Sequence, residues 1–348
     1  MTVSLSAAEV HRAPKCELHV HVEGSIRPST LRELSDAHRV AVAGRSSDAQ
    51  SRFRNLGDFL RVFGDNCRAL RSREALVRVS YESAEDAAHN GIRYREVFFS
   101  PAGYMGHRLS VDEIFGGLAE GALAAERDFA VRTRWILNVN KALGASHAMD
   151  MVEFAVRQDR EVLVGIGAGS QAVNFDFASL VPAWKVAARH GLHRTCHAGE
   201  DSPAASVWQC VAELGCERVD HGVRAIEDSA VVRRIADRGI PLTVCPSSNV
   251  EIAHLVPDIA SHPLERLRRA GVLVTVNSDD PAMLGVWLGE EYWRVCRAFT
   301  YSTDDLQALS MASIEASWMD SSEKRLMRAR FAEEFAAWHA ASAADPTQ

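Results

Sequence analysis

Lysine is scarce in this chain. Only Lys15, Lys141, Lys185 and Lys324 interrupt a positive charge otherwise carried by arginine. Lys and Arg together number 39 against 46 Asp and Glu, so the formal charge over 348 residues is 39 − 46 = −7. That balance leaves no basic footprint for nucleic acid or an anionic membrane surface. No stretch approaches the ~18 uninterrupted apolar residues of a membrane-spanning helix, and Met1–Pro14 lacks the apolar centre of a secretory signal. The seven cysteines include no C-x-x-C pair, which argues against a zinc ribbon or a thioredoxin-like site. A reduced, cytoplasmic compartment is the expectation. No internal repeat is visible, and no G-x-G-x-x-G follows the first apolar run, as an open dinucleotide-binding sheet would want.

What is present is ordinary globular material, 47% hydrophobic and 24% charged. Short β-rich runs alternate with amphipathic or alanine-rich stretches. The predicted strands are Cys16–Val20, Arg93–Phe99, Val131–Val139, Val162–Ile166, Arg194–His197, Arg218–Asp220, Pro241–Val244 and Val272–Val276. Eight such runs separated by helices predict an α/β fold, a (β/α)8 TIM barrel, as one domain over residues 1–348. Residues 28–83 are too long for one crossover and read as a helical insertion after the first strand. Within them Leu56, Phe59, Leu60 and Phe63 form a helical apolar stripe, which either packs on the barrel or lids its mouth. Gly44–Arg54 reads as a mobile loop inside that insertion, and residues 303–339 as extra C-terminal helices.

The chemistry gathers at strand ends. His19 and His21, two apart on the first strand, face one side and make half of a metal site. His197 closes the fifth strand with Glu200 three residues on, and Asp220-His221 closes the sixth. Asp279-Asp280 follows the eighth, where adjacent carboxylates are costly without a cation or donors. All lie on the C-terminal, catalytic face of the predicted barrel. They predict one Zn²⁺ held by His19, His21, His197 and Asp279, with no lysine after the fourth strand to bridge a second ion. The metal activates water, His221 orients or deprotonates it, Asp280 holds it, and Glu200 acts as a buried acid. This set suits hydrolytic displacement of an amine at an sp² carbon.

These segments are ELHVHVEGSIRP (Glu17–Pro28), GIRYREVFFSP (Gly91–Pro101), TCHAGED (Thr195–Asp201), RVDHGV (Arg218–Val223), CPSSNV (Cys245–Val250), VTVNSDDPAML (Val274–Leu284) and SIEASW (Ser313–Trp318). In that order the chain resembles the adenosine/adenine deaminase family of zinc aminohydrolases. The resemblance implies hydrolytic loss of the 6-amino group of a small-molecule purine, and a backbone approach of Gly169 to the purine N3. Glu23, Asp220, the Phe98-Phe99 pair and Ser278 lean toward the adenine-type branch, with Glu23 and Asp220 crowding the space of a ribose. The segment after the fourth strand, Gly165–Gln171, lacks the acidic residue both branches usually show. An N6-substituted or modified purine, or another amino-heterocycle, therefore stays open as substrate. A catalytically silent zinc- or purine-binding barrel is the alternative of another class. The sequence assigns no oligomeric state.

Overall fold

The computed structural model describes residues 5–42, 53–104, 109–171 and 175–344. The alternation appears as parallel strands β1 (Lys15–His21), β2 (Ile92–Phe99), β3 (Arg132–Asn140), β4 (Leu163–Gly169), β5 (His193–Arg194), β6 (His197–Ala198), β7 (Val219–His221), β8 (Leu242–Val244) and β9 (Val274–Val276). They pair in chain order as β1 to β5 and β6 to β9. The single strand expected at Arg194–His197 is split into β5 and β6. Its middle changes neighbours: Thr195 donates its N–H back to Ile166 in β4, while the Cys196 carbonyl accepts from Asp220 in β7. One barrel position is thus served by two short pieces, giving eight positions around the ring. The last meets the first at a parallel bridge between Val20 and Asp279. There His21 N–H donates to the Asp279 carbonyl at 2.8 Å, and Asp279 N–H to the His19 carbonyl at 3.1 Å.

Glycine at alternate positions of β4 follows from what fills the barrel. A Cβ on Gly167 would stand 2.6 Å from the Phe98 ring, and one on Gly165 2.6 Å from Trp318. Beneath the barrel, buried Glu96 accepts from Arg218 at 2.5 Å and from the Trp318 backbone at 2.6 Å. The Arg218 guanidinium stacks 3.9 Å from the Trp318 ring. The SIEASW segment therefore clasps the tail to β2 and β7. That tail is helical over Thr303–Ala316 and Ser321–Ala344.

The insertion after β1 carries helices Pro28–His38, Leu56–Cys67 and Arg73–His89. Asn55 caps the second and Ser72 the third, each accepting from a first-turn N–H. Leu56, Phe59, Leu60 and Phe63 join Phe53, Ile252, Met283, Leu284 and Val286 in an apolar cluster of their own. The loop expected at Gly44–Arg54 falls, through residue 52, outside the described residues. Among the described residues no helix is long and apolar enough to cross a membrane.

Candidate active site

Strand ends bring the ionisable residues together. His19 and His21 leave β1 on one side, His197 opens β6, His221 closes β7, and Asp279 follows β9. His221 and Asp279 both adopt left-handed backbone, at φ 60° and 62°. Non-glycine residues take that conformation at a cost, and such strain collects at sites where side-chain direction matters. Gly24 serves Asp280 in another way. A Cβ there would lie 1.8 Å from Asp280 Oδ1, so only glycine lets that carboxyl pass.

Four donor atoms converge. His19 Nε2 lies 3.3 Å and His21 Nε2 3.5 Å from Asp279 Oδ1, and His21 Nε2 lies 3.3 Å from His197 Nε2. Ligand bonds of ~2.1 Å in a tetrahedron separate neighbouring donors by roughly 3.4 Å, so the spacing fits zinc. Burial drives His21 down to about 3 and lowers His197, so both are neutral imidazoles, the form that binds zinc. Burial opposes charge on Asp279 as well, yet His19, His221 and His21 hold it well below the usual carboxylate range. Cys245 also comes near His19 and Asp279. Burial and Asp279 push its thiol well up, so it stays protonated beside the histidine–carboxylate set.

Behind the ligands sits Asp220, fully buried. Its Oδ1 accepts from Thr195 at 2.7 Å and Thr243 at 3.1 Å. Thr243 Oγ1 lies 3.1 Å from His19 Nδ1, and Asp220 Oδ2 lies 3.2 Å from His197 Nδ1, close but not aligned as a hydrogen bond. Burial works against the Asp220 charge, but His197 and its other neighbours hold it far below its ordinary value. Carboxylates behind metal-binding histidines orient the ring and raise its basicity.

Facing the donors, Glu200 is pushed up to about 8, first by burial and then by the Asp279 charge. Its Oε2 is 3.5 Å from His221 Nε2. Burial and the adjacent Asp279 push Asp280 well up, so the neighbouring carboxyls share one proton between them. These groups open onto a cavity of about 230 Å³ lined by His21, Phe59, Phe63, Asn138, Gly169 and Glu200 among others. Phe98 stacks on His21 at 4.9 Å, and the Phe63 ring stands edge-on to it at 6.2 Å.

The structure gathers His19, His21, His197, Asp279, Glu200, His221 and Asp280 in one place, with Phe59, Phe63 and Gly169 on the cavity wall. It does not put Glu23 or Asp220 there. Glu23 Oε1 accepts from Ser100 N–H at 2.7 Å and Tyr104 O–H at 3.1 Å, and the residue lies behind the lining. Asp220 is turned toward His197 and the two threonines because β7 points it inward below the metal donors. Sequence reasoning missed Ser100, Asn138 and Asn140 at the ends of β2 and β3, which line the cavity. It also missed Thr243, Asn249 and His262. Position at a strand's C-terminal end was the signal for the first three.

A family model described as Adenosine deaminase matches residues 14–334. The curated adenine deaminase of Rhodospirillum rubrum is 31% identical over 333 residues, covering 95% of this chain and 99% of that protein. The crystal structure of an adenine deaminase from Arthrobacter aurescens superposes with a TM-score of 0.86 at 28% identity, covering 94% of this chain and 99% of its own. An amidohydrolase from Burkhoderia ambifaria, solved with bound zinc, has a TM-score of 0.88 at 27% identity and covers 99% and 97%. With a zinc-spaced donor set at the mouth of the same barrel, the chain belongs to the adenosine deaminase family.

Proposed function

We propose that this chain hydrolyses adenine as the free base, taking up water and releasing ammonia and the 6-oxopurine. The observation that carries the reading is a protonated acid, Glu200, facing a zinc-spaced donor set across a small cavity that, among the described residues, no lysine or arginine lines. His19, His21, His197 and Asp279 would hold a zinc ion, which would supply a nucleophile from water near neutral pH. Glu200, holding its proton to about 8, gives it to the ring nitrogen beside C6. The oxygen of water joins C6, one of its protons passes to the departing nitrogen and the other returns to Glu200, and the C6–N bond breaks to release ammonia. Asp280, passed over Gly24, keeps the attacking water in line.

The far end of the cavity supports a base over a nucleotide. Its volume of about 230 Å³ lies below the ~300–1,000 Å³ of sites for drug-sized ligands. A phosphate would meet Glu200, Asp279 and Asp280 and no lysine or arginine among the described lining residues. Asn138 donates to Ser100 Oγ at 3.1 Å, and its Oδ1 is buried without a partner. Asn138 lines the cavity, and with its amide oxygen turned to the ligand it would accept the N9–H that a free base offers and a nucleoside lacks. Leaving a buried acceptor unpaired costs ~1–3 kcal/mol, so adenosine should trail adenine by roughly 10- to 100-fold in kcat/KM. A panel of adenine, adenosine, N6-methyladenine, a purine nucleotide and cytosine, followed by ultraviolet absorbance on zinc-loaded enzyme, tests this. Best turnover of the nucleotide, or turnover of cytosine alone, would reject the free-base assignment.

A further inference from the structure

Away from the metal donors, a buried chain of side chains runs outward from His221. Asn249 Nδ2 lies 3.2 Å from His221 Nδ1, and Asn249 Oδ1 lies 3.2 Å from His262 Nε2. The Leu264 backbone N–H then points at His262 Nδ1 at 3.1 Å. His221, Asn249 and His262 are all essentially inaccessible to solvent, so bulk water does not compete for these bonds.

The outermost bond fixes the rest. A backbone amide can only donate, so His262 Nδ1 must accept and carries no proton. A neutral imidazole has one N–H, and His262, which burial lowers to about 4, therefore carries it on Nε2. That N–H donates to the Asn249 oxygen. The Asn249 amide nitrogen is then turned to His221 and donates to its Nδ1. With Nδ1 accepting, the only place for the proton of neutral His221 is Nε2. Turning the Asn249 amide round would need His262 to accept at both nitrogens, an anion no protein site of this kind sustains.

We infer that Asn249 and His262 are positioning residues that lock His221 in its Nε2–H form, making it a fixed hydrogen-bond donor into the active site rather than a base. Its Nε2 lies 3.5 Å from Glu200 Oε2 and 4.0 Å from Asp279 Oδ2, so the donated proton points at the space between them. That space takes the attacking water in the reading above, and this catalytic consequence rests on that reading; the tautomer itself does not. His221 in this form cannot accept at Nε2. It holds the incoming oxygen by donating to it.

The test is nitrogen NMR of zinc-loaded enzyme carrying ¹⁵N-labelled histidine, with resonances assigned by a His221→Gln control. Wild type should show His221 protonated at Nε2 and His262 likewise. Asn249→Asp replaces the donor facing Nδ1 with a carboxylate oxygen, so His221 should move its proton to Nδ1. Turnover of adenine should then fall about 100-fold in kcat, with KM within about threefold and zinc content unchanged. His262→Leu frees the Asn249 amide and should lose the single tautomer. His262→Gln keeps a donor toward Asn249 and should restore both tautomer and rate. A wild-type His221 protonated at Nδ1, or one unmoved in Asn249→Asp, overturns the inference whether or not adenine is the substrate. Failure of wild type to deaminate adenine, with the expected tautomers present, counts against the substrate reading alone.

Discussion

Two acidic side chains, Glu200 and Asp220, lie on opposite sides of the same histidines and separate by what their oxygens touch. Glu200 faces the cavity and keeps its proton; Asp220 is spent on Thr195, Thr243 and His197. Glu200→Gln should therefore keep zinc while losing ~10²- to 10⁴-fold in kcat. Asp220→Asn should do the reverse, weakening zinc ~10- to 100-fold while sparing turnover at saturating metal. Zinc titration alongside steady-state kinetics separates them; equal zinc affinity in Asp220→Asn and wild type would remove its role behind the ligands. The ligands were legible because a two-residue period and a strand end are local facts, as at His19 and His21. The job of Asp220 was not, because its side chain answers to Thr243 across a barrel neighbour. Nor was that of Asn249, whose partners His221 and His262 stand 28 and 13 residues away. No local pattern announces a hydrogen bond between loops.

Strands β1 to β4 run seven to nine residues, and their apolar content and length made them easy to read. β5 and β6 have two residues each, because Thr195 and Cys196 are used to change partners, and propensity carries no record of that. The insertion helix Leu56–Cys67 was legible as an amphipathic helix, but its periodicity is the same whether the apolar face meets the barrel or a ligand. In the structure Phe59 and Phe63 line the cavity while also packing beside Ile252 and Met283. We propose that the helix acts as a lid. Phe63→Ala removes the ring standing against His21 at the cavity edge. Losing apolar contact with a planar base at ~25 cal/mol per Å² should raise KM about 5- to 10-fold, with kcat within about twofold. Unchanged kinetics with a lower melting temperature would leave the helix as packing only.

Folding this acidic chain buries carboxyl groups that hold protons, and that makes its stability depend on pH over an unusual window. Burial raises Glu17, and it pushes Glu23 to about 7, Glu291 to about 7 and Glu200 to about 8. Glu291 is the cleanest to test, since it lies in the first turn of the helix Leu288–Phe299, away from the metal donors. Its Oε1 accepts from Ser247 N–H at 2.6 Å, which favours the charged form, but burial outweighs it. Unfolded, the carboxyl titrates near 4.5; folded, near 7. Between those values the native state holds a proton that the unfolded state has released. Its stabilising contribution is therefore complete below about 4.5 and is lost as pH rises through about 7. The full change is on the order of 3 kcal/mol. Glu291→Gln keeps the acceptor for Ser247 and removes the titration. Urea unfolding should find the variant close to wild type near about pH 5 and more stable by ~1–3 kcal/mol near about pH 8.5. The same difference at both pH values would mean that Glu291 folds with its charge already paired, and the proton would have to be sought on Glu17 or Glu23.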